Sequence, residues 1–245
     1  MEGAMSSLNG KTIVIAGASS GMGRATAIAA AAAGAQLVLA ARSSESLDAL
    51  AAEITATGGV VSTFPVDLTN RDEAGALIAE AQSRLGRIDA VVNTIGTNIK
   101  ERMLSELTPE SWAEMLAINL TTAFNITQAV VPVFREQGDG TIIYVSSSAA
   151  KKPDPSGIAY QATKSGLVGL AHGTMEEERA NGIRTTVIFP GLTDTPMVLK
   201  RPTPTPPEVL EKALQPEDVA AAALFVLSLP ARAYVPELVL YPSRL

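Results

Sequence analysis

The chain contains no cysteine and a single histidine among its 245 residues. The first absence removes disulfides, thiolate nucleophiles and cysteine-ligated metals. The second excludes histidine-dependent hydrolytic triads and most zinc sites. His172 lies twelve residues beyond Tyr160 on one predicted helix, at a surface or subunit-contact position. There is no basic stretch and the net charge is −6, so nucleic acid is not an expected partner. Ala25 to Ala41 carries no charge over 17 residues, close to the lower limit for a membrane span. Gly34 and Gln36 nevertheless divide it into a helix pattern and a strand pattern, so no membrane helix is expected. The opening "MEGAMSSLNG" has Glu2 and no basic region ahead of an apolar core; no leader peptide and a cytoplasmic location are expected.

What the chain does have is alternation. Thr12–Ile15, Leu37–Ala41, Val60–Val66, Ala90–Asn93, Thr141–Val145, Arg184–Phe189 and Leu238–Leu240 read as strands. Helical patterns run from the glycine-rich turn at Gly17 to Gly34, and over 72–85, 111–135 (in two pieces), 159–180 and 217–227. Strands alternating with helices imply an α/β fold with one parallel sheet covered on both faces. A chain of this length commonly forms one domain, here 1–245. In such sheets ligands gather at the carboxyl ends of the strands, where Gly17, Asp67, Asn93, Ser147 and Pro190 all fall.

Three groups of residues carry chemistry. The turn Gly17-Ala-Ser19-Ser20-Gly21-Met22-Gly23 sits between a strand and a helix. Glycine there lets backbone approach a pyrophosphate whose charge is met by helix N-terminal amides. Its Gly-x-x-x-Gly-x-Gly spacing departs from the commoner Gly-x-Gly-x-x-Gly fingerprint. Tyr160 and Lys164 stand at i and i+4 of a helix, so an ammonium lies beside a phenol. A phenol titrates near pH ~10, and a neighbouring cation favours the phenolate. Ser146, Ser147 and Ser148 close the preceding strand, with Ser147 thirteen residues before Tyr160.

The glycine turn, Asn119, the serine cluster, Tyr160-x-x-x-Lys164 and Pro190-Gly191 resemble, in order and spacing, the short-chain dehydrogenase/reductases of the compact single-domain type, over about residues 8–240. The resemblance implies a Rossmann-type doubly wound sheet and hydride transfer between a nicotinamide cofactor and a carbonyl or secondary alcohol. It implies Tyr160 as general acid/base, Ser147 polarising the substrate oxygen, Lys164 lowering the Tyr160 pKa and holding the nicotinamide ribose, and Asn119 completing a proton relay. Cofactor contacts are implied at Gly17, Ser19, Ser20, Gly21, Met22, Gly23, Asp67, Leu68, Asn93, Gly96, Tyr160, Lys164, Pro190, Gly191, Thr193 and Thr195. No metal is implied. The family's Asn-Asn-Ala-Gly segment stands here as Asn93-Thr94-Ile95-Gly96, which keeps its ends and changes its middle.

The end of strand two decides the cofactor expectation. Enzymes preferring the unphosphorylated dinucleotide place Asp or Glu about 20 residues after the glycine turn. Here that place holds Ala41, then Arg42 and Ser43, a guanidinium and a hydroxyl suited to a 2′-phosphate, so NADP(H) is favoured over NAD(H). Leu192–Pro216 holds six prolines at the family's substrate-lid position, and Pro202, Pro204, Pro206 and Pro207 favour an extended, stiff segment. Lys151 and Lys152 follow the serine loop; they either attract an acidic substrate or are solvated. The ending "ARAYVPELVLYPSRL" departs from the Thr-Gly…Asp-Gly-Gly ending of many relatives, which weakens transfer of substrate class or tetramer geometry from the acyl-carrier ketoreductases. A homodimer or homotetramer acting on a small molecule is implied. Two other readings are a cofactor-binding regulatory or scaffolding protein without turnover, and a sugar-nucleotide epimerase or dehydratase. The intact Asn119, Ser147, Tyr160 and Lys164 set argues against the first, and the short region after Gly191 against the second.

Overall fold

Seven short runs rich in valine, isoleucine, leucine and alanine form one all-parallel sheet in a computed structural model that describes residues 8–244. The strands are β1 (Thr12–Ala16), β2 (Gln36–Ala41), β3 (Val60–Pro65), β4 (Ala90–Asn93), β5 (Gly140–Val145), β6 (Ile183–Pro190) and β7 (Glu237–Leu240). Their order is β3-β2-β1-β4-β5-β6-β7. The direction of winding reverses between β1 and β4, and that switch point opens a crevice at the strands' carboxyl ends.

The helices are α1 (Gly21–Ala32), α2 (Ser44–Ala56), α3 (Arg71–Leu85), α4 (Pro109–Leu116), α5 (Thr122–Gln137), α6 (Ile158–Glu178), α7 (Pro207–Leu210) and α8 (Pro216–Leu227). Strand side chains alternate between two faces, and both faces are dry. Val14 and Ala16 pack with Leu77, Ile126, Phe134 and Leu167 from α3, α5 and α6. Ile13 and Ile15 pack with Ala27, Leu50 and Val226 from α1, α2 and α8. Burial on both faces explains why the inner strands β1, β2 and β4 are near-continuous apolar runs rather than alternating, whereas the edge strands β3 and β7 are only partly buried.

The expected strands and most helices are present within two or three residues of their expected ends. The uncharged run 25–41 divides into α1 and β2, as its glycine and glutamine imply. Helix α2 was not placed by the sequence reading; it starts on Ser43, whose hydroxyl accepts from the Ser46 amide at 3.2 Å. The proline-rich stretch is not extended throughout. Pro196–Lys200 forms a 3₁₀ turn, and Pro207 opens α7, where a missing N–H costs nothing. The segment 109–137 is long and apolar enough to cross a membrane by composition. Here it lies on the sheet with Ala123, Ile126 and Val130 fully buried, the behaviour of a core helix. The first seven residues, on which the absence of a leader peptide was mostly argued, lie outside the described range.

Candidate active site

The glycine turn connects β1 to α1, and its three glycines are required by different contacts. Gly17 has φ +86°, and a Cβ there would stand 2.7 Å from Thr94 Oγ1. Gly21 has φ +51° and faces Thr195, while a Cβ on Gly23 would collide with the Gly17 carbonyl oxygen. At the start of α1, Ser20 makes no side-chain cap and the first turn carries no acidic residue. Its leading amides are therefore available to an anion. The altered Asn93-Thr94-Ile95-Gly96 segment is accommodated by the same turn. Thr94 Oγ1 donates to the Ala16 carbonyl at 2.8 Å, Asn93 Oδ1 accepts from the Ile95 amide at 3.1 Å, and Ile95 packs where Gly17 lacks a side chain.

A crevice of about 370 Å³ runs along this turn, bordered by Ser19, Ser20, Met22, Arg42, Asp67 and Leu68. Asp67 does not cap α3; Asn70 does, through the Asp72 amide. The Asp67 carboxylate accepts from the Thr69 amide at 3.0 Å and the Thr69 hydroxyl at 2.8 Å. Those bonds hold its pKa below the ordinary value against partial desolvation, with a smaller contribution from Arg42. Asn125 on α5 donates to the carbonyls of Leu68 and Thr69, fixing this wall. Arg42 is exposed and borders the crevice. Ser43 does not line it, because its hydroxyl caps α2. The residues present thus fit a dinucleotide: a cradle that a Cβ would fill, unclaimed helix amides, and a carboxylate and a guanidinium at the far end.

A second cavity of about 650 Å³ adjoins the first, and Met22, Thr195 and Met197 border both. Ser147, Tyr160, Pro190, Gly191 and Thr193 line it. The helix carrying Tyr160 starts after Gly157, whose φ is +93° and whose absent side chain makes room for Arg102. The three serines divide their work. Ser146 is buried and donates to the Lys164 carbonyl at 2.8 Å, anchoring α6 to the end of β5. Ser147 is extended and accepts from the Ala149 amide at 3.2 Å; Ser148 starts a 3₁₀ turn.

Lys164 is buried and its Nζ donates to the Val145 carbonyl at 3.0 Å, 5.9 Å from the centre of the Tyr160 ring. Burial alone pulls its pKa down to about 8. Tyr160 is half-buried, yet the protein around its hydroxyl desolvates it enough to hold the phenol above its ordinary value. Hydrogen bonding by Ser147 opposes that shift, Asp154 reinforces it, and Arg102 and Arg201 weakly oppose it. The depression expected from Lys164 is therefore not seen. The physical reason lies in Lys164 itself: by the pH at which the phenol would ionise, the buried amine has already lost its proton and no longer favours a phenolate.

Asn119 lies in a π-helical turn, Ala117–Thr121, between α4 and α5. The expected break in that long helix is this turn, in which the Thr122 amide reaches the Ala117 carbonyl. Such wide turns recur at functional sites. The Asn119 side chain is completely buried: Oδ1 accepts from the Thr97 amide at 2.7 Å, and Nδ2 donates to the Thr97 carbonyl and to Thr163 Oγ1, both at 3.1 Å. Asn119 thereby ties the loop after β4 to α6, next to Lys164.

The structure thus gathers most of the expected residues on the two cavities at the strands' carboxyl ends; Asn93, Asn119 and Lys164 are buried behind those walls, and Ser43 is set apart. It also adds residues that the sequence reading missed: Arg102, Asp154 and Arg201 line the cavity beside Tyr160. Lys151 and Lys152 are not among its lining residues. Lys151 pairs with Glu237 and lies over the Phe189 ring, and Lys152 lies 5.0 Å over Tyr241. His172 is half-exposed, 3.4 Å from Glu237.

Comparison with known proteins agrees with this geometry. The family model for short chain dehydrogenase matches residues 11–205. An uncharacterized oxidoreductase of Staphylococcus haemolyticus is 34% identical over 238 residues, covering 97% of this chain and all of that one. A 3-oxoacyl-[acyl-carrier-protein] reductase of Thermotoga maritima is 33% identical over 226 residues, 90% of this chain and 92% of its own. Among solved structures, a metagenomic short-chain oxidoreductase in complex with NADP superposes with a TM-score of 0.84 at 31% identity, covering 97% of this chain and 100% of that chain. With the doubly wound sheet, the dinucleotide crevice and the adjoining cavity in place, the chain belongs to the short-chain dehydrogenases, oxidoreductases that use a nicotinamide cofactor on carbonyl and alcohol groups.

Proposed function

We propose that this protein is an NADP(H)-dependent reductase of a carbonyl, or dehydrogenase of the matching secondary alcohol, with Tyr160 exchanging the proton on the substrate oxygen. The observation that carries this reading is the placement of Tyr160 and Ser147 on the wall of a cavity that opens into the dinucleotide crevice at Met22 and Thr195. When bound, the cofactor supplies or receives the hydride. The chain's own residues do the rest. Ser147 hydrogen-bonds the reacting oxygen and sets its position. Tyr160, protonated at neutral pH as a phenol is and held above its ordinary value by desolvation, donates in the reductive direction. Lys164, with a pKa near 8, returns a proton to the Tyr160 phenolate and is itself refilled from the side of the loop held by Asn119.

The cofactor preference is supported by Arg42 at the end of β2, where no carboxylate stands to repel a 2′-phosphate. Residues 192–216 act as a lid in this reading. Arg102 supports it by donating to the Lys200 carbonyl at 2.8 Å, and Lys200 by donating to Thr97 Oγ1 at 2.6 Å, which latches the segment over both cavities. A homodimer through α5 and α6 is supported by Phe124 and Ile158, which expose 46% and 44% of their surface on those helices.

The test is a panel of ketones, aldehydes and secondary alcohols, each followed at the nicotinamide absorbance with both cofactors. Turnover with NADPH or NADP⁺ is the expected result. Tight cofactor binding with no oxidation or reduction across the panel would replace this reading with that of a cofactor-binding protein.

A further inference from the structure

The cavity beside Tyr160 is more positive than negative in a chain of net charge −6: Lys100, Arg102 and Arg201 line it against Glu106 and Asp154. Several arginines elsewhere in the fold have carboxylate partners, as in Arg24–Glu53, Arg135–Glu178 and Arg184–Asp139, and those without one, such as Arg42, are exposed. Among the described residues, Arg102 and Arg201 have none within 4.0 Å. That is unusual for Arg102, which is only 8% exposed. A guanidinium with most of its hydration stripped away and no counter-charge is costly, and such a charge is normally paired.

The geometry of the two side chains differs in a useful way. Arg102 is fixed: Nε donates to the Ile99 carbonyl at 3.0 Å and Nη2 to the Lys200 carbonyl at 2.8 Å, while Nη1 makes no hydrogen bond among the described residues and stays open to the cavity. Arg201 comes from the segment over the cavity, and its one side-chain hydrogen bond among the described residues is from Nη1 to Thr205 Oγ1 at 3.2 Å. The two cations repel. Burial lowers the Arg102 pKa, and Arg201 lowers it further, against the opposing pull of Asp154 and Tyr160. Neither acidic neighbour is directed wholly at them. Asp154 accepts from the Ser156 amide at 2.8 Å, and Glu106 from the Met103 amide at 3.0 Å.

We infer that the substrate of this cavity carries a carboxylate, held between Arg102 and Arg201, so that its carbonyl or carbinol carbon is presented to Tyr160. This rests on the reading of Tyr160 as the reaction centre. A carboxylate fits the fork geometry of two guanidiniums, relieves their repulsion and supplies the counter-charge that Arg102 lacks. Because Arg201 belongs to the covering segment, binding the anion also draws that segment towards Arg102, whose Nη2 already holds the neighbouring Lys200 carbonyl.

The experiment uses the full chain with NADPH and pairs of probes that differ only in charge: acetoacetate and levulinate, each beside its methyl ester. The acids are expected to exceed their esters in kcat/KM by about 10- to 100-fold, the scale of a charge-assisted hydrogen-bonded contact. Arg201→Met should bring the acid-to-ester ratio towards one, and Arg201→Lys should restore part of it. Esters reduced as well as or better than acids would overturn the inference while leaving the reductase reading intact. If no probe is turned over, the carbonyl and alcohol panel decides that reading, and calorimetric titration of levulinate into the NADP⁺-loaded protein decides this one. Saturable binding of levulinate, absent for its methyl ester and lost in Arg201→Met, upholds the carboxylate site; no binding, or equal binding of the ester, overturns it.

Discussion

Gly96 leaves the space into which the Lys164 ammonium fits: a Cβ built on Gly96 would stand 2.8 Å from Lys164 Nζ and 3.5 Å from Asn119 Oδ1. The obstructing atom is the far end of a flexible chain, so the protein can yield without unfolding. What it gives up is the position of the amine, now set by its 3.0 Å bond to the Val145 carbonyl. Gly96→Ala should therefore fold with a stability change within about 1 kcal/mol yet lose about 10-fold or more in kcat/KM. Thermal melting and steady-state kinetics on the same preparation check both halves. Gly23→Ala is the contrast. There the added methyl meets the backbone carbonyl of Gly17, nothing flexible can move aside, and both stability and dinucleotide affinity should fall.

The frame was legible because strands buried on both faces read as short β-branched runs closed by Gly, Asp, Asn or Ser. Each of those closing residues then marks a strand end at the crevice. The pairing of Tyr160 with Lys164 was legible as a spacing, but its electrostatics were not. A spacing of four shows that an ammonium can lie beside a phenol, whereas the depth of Lys164 follows from packing between β5, α6 and the loop at Gly96. Arg102 was hidden for the same reason. In sequence a lone arginine after Glu101 reads as solvated, and its burial comes from contacts distant in the chain, with Gly157, 55 positions later, and with the Lys200 carbonyl. Helix α2 was detectable from Ser43 and the buried spacing of Leu47, Leu50 and Ile54. Over the proline-rich segment 192–216, proline content alone did not separate residues that extend the chain from Pro207, which opens a helical turn.

Removing the Tyr160 hydroxyl should separate chemistry from binding. The ring packs at the start of α6 and its hydroxyl takes part in the cavity wall, so Tyr160→Phe keeps the fold and the dinucleotide crevice. NADPH affinity, read by fluorescence titration, should change by less than about 3-fold, while kcat falls by about 10²- to 10⁴-fold, the usual share of a positioned acid. Unchanged turnover would remove Tyr160 from the mechanism. Ser147→Ala should act in the same direction and less strongly, since it withdraws a hydrogen bond rather than the proton donor.

Reversing the charge at the end of β2 tests the cofactor preference. Arg42 is exposed beside Asp67 and makes no ion pair among the described residues, so changing it should leave the core untouched. Arg42→Asp places a carboxylate where a 2′-phosphate would lie and where a ribose hydroxyl could donate to it. The ratio of kcat/KM for NADPH over NADH should drop by about 100-fold or more. Kinetics with both cofactors at one fixed substrate concentration give that ratio directly, and a ratio that did not move would show that the preference is set elsewhere.

Lys164 should leave a signature in the pH dependence of stability of the cofactor-free protein. Its folded-state pKa is lowered by burial to about 8, against an unfolded value near ~10.4. Between those two values the unfolded chain holds a proton that the native chain has released, so stability rises with pH across this window. Tyr160 and Tyr144 act oppositely. Their folded pKa values are raised by burial, so the stability they contribute is present below pH ~10 and is lost above it as the unfolded phenols ionise. The usable window is therefore about pH 8 to 10. Urea midpoints measured across it should climb for the native sequence relative to Lys164→Met, a gain on the order of 2 kcal/mol. At pH 7 the variant should be the more stable of the two, because the buried ammonium is then charged and held by one carbonyl. Parallel pH profiles for the two proteins would mean that Lys164 keeps its proton throughout, and that its amine is better solvated than its burial indicates.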